Sequence, residues 1–218
     1  MVYYAYLKYI LNEITFRYLL TAPYPETIDE WYREASATYD HVKRLAPDFY
    51  IFGTGTQVWD LAPSFINKIM FTKLNDRDCR VLSTISQPER TDVLSGGSYY
   101  IRSKSNPQYY WFAKSGLIHA TKQGRTRFII KISGEGKSDS KGTVLIGSDS
   151  VSITAVGGKT EQYIGTNDAD KVTLSDYSYH LNYSDLKNNF LAQGETGDTD
   201  SIQITKSDGY GEEWELVK

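Results

Sequence analysis

Three stretches of the C-terminal half can be superposed, and this constrains the fold more than anything else in the chain. Tyr110-Trp111-Phe112-Ala113 aligns with Gln162-Tyr163-Ile164-Gly165 and with Asn189-Phe190-Leu191-Ala192. Each is followed by an alternating strand (Ile118/Ala120, Val172/Leu174, Ile202/Ile204) and then by an aromatic-x-apolar step (Phe128/Ile130, Tyr179/Leu181, Trp214/Leu216). A repeat of short strands fixes shape more than chemistry.

Short strands recur through residues 99–217: Tyr99–Ser103, Tyr109–Ala113, Leu117–Thr121, Arg127–Ile132, Val144–Gly147, Val151–Ala155, Gln162–Gly165, Lys171–Asp176, Tyr179–Tyr183, Asn189–Ala192, Ser201–Thr205 and Glu213–Val217. Turn chemistry separates them, as at Lys114-Ser115-Gly116, Gly157-Gly158, Asn167-Asp168 and Ser207-Asp208-Gly209. The chain has 18 tyrosines, a residue whose ring packs while its hydroxyl reaches water, which suits half-buried strand positions.

The first 95 residues read differently. Leu7, Ile10, Leu11, Ile14 and Tyr18 fall at helical spacing and predict an amphipathic helix over residues 2–20, stopped by Pro23 and Pro25. Thr27 and Glu30 match a capping box opening a second helix, with Ile28, Trp31, Ala35, Tyr39 and Val42 on one face. Phe49–Phe52 and Cys79–Ile85 read as strands, and Pro63 as the start of a short helix carrying Phe65, Ile66, Ile69 and Met70. The polar run 86–97 is the expected boundary. The expected fold class is α+β: a helix-rich α/β segment, residues 1–95, packed on an all-β domain, residues 96–218.

The repeated pattern of residues 96–218 resembles the β-trefoil superfamily, which includes ricin-B-like lectins and fascin-like modules. The resemblance implies three like repeats, with Trp111, Tyr163 and Phe190 in equivalent core places. In ricin-B-like trefoils a repeat holds a sugar between an aromatic ring and an acidic or amide side chain. The matching residues here are Tyr110, Tyr163 and Trp214 as rings, with Asp168, Asp170, Asp198, Asp200 and Asn189 as polar partners. The Gln-x-Trp motif of those lectins is absent; Glu212-Glu213-Trp214 is its nearest echo.

The net charge of -3 conceals an asymmetry. Residues 96–137 carry eight Lys/Arg against one acid, while residues 193–218 carry seven acids against two lysines. Such segments either attract each other or leave a basic stripe, and Arg102, Lys104, Arg125 and Arg127 are the anion-binding candidates, interleaved with tyrosines. A pI near 5.7 argues against a dedicated nucleic-acid binder.

Catalytic signatures are weak. Gly53-x-Gly55 lacks the third glycine of a dinucleotide loop and the Gly-Lys-Ser/Thr of a P-loop. Cys79 is the single cysteine, so no intrachain disulfide forms, and His41, His119 and His180 are scattered. No Cys/His group has zinc spacing, and the acidic runs Asn167–Asp170 and Asp198–Asp200 lack the glycine and distal glutamate of an EF-hand. The same carboxylates could act as an acid–base pair on a glycoside, but a solvated turn is the preferred reading of both runs. No catalytic residue, metal or cofactor is expected. Lys8, Glu13 and Arg17 interrupt any apolar leader or span, so the expected location is cytoplasmic or reached without a leader.

The leading functional expectation is a non-enzymatic recognition protein that binds carbohydrate through its β-domain loops. The alternatives are a protein-binding or self-assembling module, such as an inhibitor, toxin subunit or structural protein, and an enzyme with its site in residues 1–95. The expected partner is a glycan or a protein, with a polyanion on the basic stripe and a homo-oligomer as further partners.

Overall fold

The computed structural model describes residues 2–11, 17–53, 56–74, 91–134, 141–158, 160–179, 181–192 and 201–218. The chain folds as two compact units, Met1–Asp92 and Val93–Lys218. The strand expected over Cys79–Ile85 lies outside the described residues.

Among the described residues of the first unit the expected N-terminal helix is absent, and the α+β reading with its helical leading segment is corrected accordingly. Residues Tyr3–Tyr9 (β1) and Arg17–Ala22 (β2) form an antiparallel pair. Its register sets Tyr3 opposite Ala22, Ala5 opposite Leu20 and Leu7 opposite Tyr18, and all six are buried. Alternation with period two therefore governs this segment, and the helical spacing of Leu7, Ile10 and Leu11 is coincidental. Ile10 and Leu11 stand 47% and 73% exposed.

One helix, α1 (Pro25–Thr38), follows. It opens at Pro25 and not at a Thr27 cap; proline in the first turn loses no hydrogen bond, because that amide has no helical acceptor. Lys43–Ala46 (β3), Phe49–Phe52 (β4) and Met70–Leu74 (β5) complete a sheet of order β3-β4-β1-β2-β5, in which β1 and β4 run parallel. Ile28, Trp31 and Ala35 of α1 enter the core, where Trp31 meets Tyr50 edge-on at 5.8 Å. The segment at Pro63 is a single 3-10 turn, Pro63–Phe65; it buries Phe65, with Ile69 beyond it, while Ile66 and Met70 face outward.

A charged network lies inside this unit. Arg44 grips Asp92 with two nitrogens, at 2.7 and 2.8 Å, and its Nε lies 3.3 Å from Asp29 Oδ1. The Tyr50 hydroxyl donates to Asp29 or to the Pro47 carbonyl, both at 3.2 Å. Burial, then the Asp29 charge, push the Tyr50 phenol well above its ordinary range, so it stays a neutral donor. Asp29 is 2% exposed, and the guanidinium and phenol beside it satisfy that buried carboxylate.

The second unit is built from β6 (Gly97–Ser103), β7 (Tyr110–Lys114), β8 (Leu117–Thr121), β9 (Arg127–Ile132), β10 (Ser150–Ala155), β11 (Gln162–Thr166), β12 (Val172–Ser175), β13 (Leu181–Asn182), the one-turn helix α2 (Asp185–Asn188), β14 (Phe190–Ala192), β15 (Ser201–Lys206) and β16 (Trp214–Val217). The strand expected at Val144–Gly147 is reduced to one bridge, Leu94 with Val144. Neighbour to neighbour, β8-β7-β6-β9-β10-β11-β12 form an antiparallel path, and β12 returns to β8 through Thr173 opposite Leu117. The result is a closed seven-stranded barrel. The Leu174 amide donates to the Gly116 carbonyl at 2.9 Å across the closure. Ser115 and Gly116 both have positive φ, 54° and 79°, as a two-residue hairpin turn between twisted strands requires.

This barrel replaces the β-trefoil reading. The ring takes four strands from the first aligned segment, three from the second and none from the third. β13, which closes the second segment, adds to β10 outside the ring, and the third segment lies wholly outside it: β15 adds to β8, β14 to β15 and β16 to β6. The aligned triplet fails as well. Trp111 and Phe190 are fully buried, but Tyr163 is only half-buried and its neighbour Ile164 takes the inward place. Strand alternation places neighbouring residues on opposite faces, and on β11 the inward face falls to Ile164 and not to Tyr163.

Trp111 is the hub of the barrel core. Its ring meets Phe190 at 5.2 Å, Trp214 at 5.7 Å and Phe128 at 6.1 Å, all edge-on, the geometry that aromatic quadrupoles prefer. The Trp214 indole donates to the Phe190 carbonyl at 3.0 Å. Gly211 lets these segments approach: a Cβ there would meet the Phe190 carbonyl oxygen at 2.7 Å. Trp111→Ala should cost about 3–5 kcal/mol, read as a lowered denaturation midpoint for the Val93–Lys218 unit. A loss below about 1 kcal/mol would show that the hub is not holding the core.

Candidate functional site

Strand alternation sends every second residue of β6 to the outer surface, and this decides the fate of the basic stripe. Tyr99, Ile101 and Ser103 point inward, while Tyr100 and Arg102 point outward. β16 lies on one side of them, with Glu215 opposite Arg102 and Val217 opposite Tyr100. Arg102 donates through Nε and Nη2 to Glu215 Oε1 at 2.8 and 2.6 Å, and Lys104 pairs with Glu213 at 2.7 Å. The acidic tail thus neutralises the basic strand beside it. Both pairs are substantially exposed, so each contributes about 1 kcal/mol or less.

Arg125 and Arg127 are placed differently. Both are exposed, and no ion pair involves either among the described residues. Arg127 sits opposite Tyr100 across the β6–β9 pair. Its guanidinium carbon is 4.7 Å from the Tyr100 ring centre, and that of Arg125 is 4.2 Å from the same centre and 5.6 Å from that of Tyr110. The two tyrosine rings meet edge-on at 6.4 Å. A hydrogen bond from Arg127, opposed by burial, holds the Tyr100 phenol below its ordinary range, with the charges of Arg127 and Arg125 adding to it.

A second grouping forms at a corner of the turns. Asn167 opens the β11–β12 turn, its Oδ1 accepting from the Ala169 and Lys171 amides, and Asp170 takes a left-handed conformation, φ 55°, which aspartate tolerates. The Asp170 carbonyl accepts from the Lys206 amide at 2.7 Å, and the Asn189 carbonyl accepts from the Ser207 amide at 2.8 Å. Two turns distant in sequence are therefore stitched to one dipeptide. The Asn189 side chain donates to Asp185 Oδ1 at 2.9 Å and accepts from the Gly209 amide at 2.9 Å. Burial opposes the Lys206 charge, but the hydrogen bond to Asp208 and the nearby Tyr179 and Asp185 outweigh it and raise its pKa.

The sugar-site candidates therefore separate. Asp168 and Asp170 are exposed on the corner turn with Asn189 beside them. Tyr110 belongs to the arginine–tyrosine face. Tyr163 faces outward on β11, where a hydrogen bond to Glu161, then burial, raises its phenol pKa. Trp214 is 3% exposed in the core, so its ring offers no surface to a ligand. Asp198 and Asp200 lie outside the described residues, as do Cys79, His180 and Gly55. Lys206, Tyr179, Asp185 and Asp208 are not among the site candidates the sequence offers; Tyr179 enters there only as a strand residue and Asp208 only in the turn signal Ser207-Asp208-Gly209. In the first unit Val58 enters the core, while Trp59 and Asp60 are exposed.

Asn189→Ala removes both side-chain bonds of the corner. The Gly209 amide should then exchange roughly fivefold to tenfold faster with deuterium, as expected for losing about 1 kcal/mol of hydrogen bonding. An unchanged exchange rate would show that Asn189 does not hold this turn. Compared with known proteins, the chain matches no family model and no curated protein.

Proposed function

We propose that the chain is a non-enzymatic recognition protein whose barrel binds carbohydrate at the corner formed by the β11–β12, β12–β13 and β15–β16 turns. One observation carries the reading: consecutive amides of Lys206 and Ser207 hold the Asp170 and Asn189 carbonyls, so acidic and amide turns converge on one rigid edge. Sugar hydroxyls are donors and acceptors at fixed spacing, which planar carboxylates, amides and an ammonium group match. A sugar's apolar face packs on an aromatic ring, and Tyr179 is the exposed ring associated with this edge through Lys206. Tyr210, on the β15–β16 turn, is 84% exposed and offers a further ring.

Sites of this kind bind single sugars weakly, because each hydrogen bond gained replaces one to water. Preorganised turns reduce the cost of ordering, which supports the stitched corner as the place of recognition. Binding of the full chain to an array of neutral glycans tests the reading. Tyr179→Ala and Asp170→Asn should each weaken the retained glycans by roughly tenfold, about 1.4 kcal/mol. Retention of no neutral glycan, or variants that bind like the parent chain, would overturn it.

A further inference from the structure

The arginine–tyrosine face on the outer barrel wall is independent of the carbohydrate reading and has its own chemistry. Two guanidinium groups converge on one phenol ring, at 4.2 and 4.7 Å from its centre. Like charges gathered this way repel each other, and the ring quadrupole holds them in place. Arg102 and Lys104, by contrast, are committed to Glu215 and Glu213. The face therefore carries two fixed cations with no carboxylate partner among the described residues, bordered by acids along β16.

We propose that Arg125 and Arg127, held on Tyr100, form a binding site for a single phosphate or sulfate monoester group. A carboxylate has two oxygens and is satisfied by one guanidinium fork. A tetrahedral monoester presents three non-bridging oxygens, enough to engage both forks together. The Tyr100 hydroxyl, on the ring that both guanidinium groups cover, has a proton to donate to the third oxygen.

The surroundings select against a long polyanion. Neighbouring strands lie roughly 4.8 Å apart, so the positive spot spans about two strands before Glu215 and Glu213 begin. A run of phosphates laid across the strands toward β16 would cross those acids. Single-stranded nucleic acid also needs free aromatic faces for its bases. Here the Tyr100 ring already carries two guanidinium groups, which turn a stacking platform into an anion cradle.

Titration calorimetry of the full chain tests the site, with glycerol phosphate and a sulfated monosaccharide as separate probes. Binding of either supports the proposal, and the tighter of the two identifies the source of the group. Arg125→Gln and Arg127→Gln should each reduce affinity by tenfold or more. Tyr100→Leu should do the same with both arginines retained, because the ring positions them. Lys131→Gln removes an equal charge two residues beyond the next outward position of β9 and should leave affinity within twofold. Four results would overturn the proposal: neither probe binding at millimolar concentration, either arginine variant binding like the parent, Lys131→Gln weakening binding as much as the arginine variants, or affinity for sulfated or phosphorylated oligomers rising steadily with their length. The last would assign the face to an extended polyanion instead.

Discussion

The second unit depends on the packing of Trp111. An indole with no exposed surface meets aromatic rings from three distant places: Phe128 on β9, Phe190 on β14 and Trp214 on β16. Phe190 and Trp214 lie on strands outside the closed ring, so these contacts fasten the C-terminal segment to the barrel. Edge-on geometry restricts how those strands can lie. Once β16 is placed against β6, the side chains of both strands are assigned to the inner or outer face by alternation.

The surface chemistry follows from that assignment. With Ile101 inside, Tyr100 and Arg102 must face out, and the β16 register brings Glu215 beside Arg102. One edge of β6 is thereby neutralised. The other edge, toward β9, keeps Arg127 and Arg125 on the Tyr100 ring. A predominantly basic stripe in sequence thus becomes a patchwork, with Arg102 and Lys104 paired to acids and Arg125 and Arg127 held on aromatic rings. The turn corner has the same origin, since Asp170 and Asn189 come together only because β15 reaches back along β8 and presents its last amides to both turns.

The strands of the second unit were legible because alternation and turn residues agree there. Leu117–Thr121 and Arg127–Ile132 are found at the expected residues. Four things were not legible. At the N-terminus, apolar residues satisfied helical and strand periods at once, and cross-strand pairing with Ala22, Leu20 and Tyr18 decided for the strand. Among the aligned segments, Tyr163 and Ile164 are both apolar enough to face inward, so sequence alone did not fix the register, and the threefold equivalence drawn from it fails. The corner rests on backbone hydrogen bonds between residues far apart in sequence, and backbone groups carry no sequence signature. The balance of opposite charges between the 96–137 and 193–218 segments was visible, but which arginines remain unpaired was not.

The central claim is that the barrel is closed, because closure fixes the inward and outward residues that every surface argument uses. The most direct measurement is hydrogen exchange at the Leu174 amide, which donates to Gly116 across the β8–β12 seam. A closed barrel predicts protection there comparable to the amides paired within β9 and β10. Exchange as fast as a solvent-exposed strand edge would mean that the seam is open and would contradict the account.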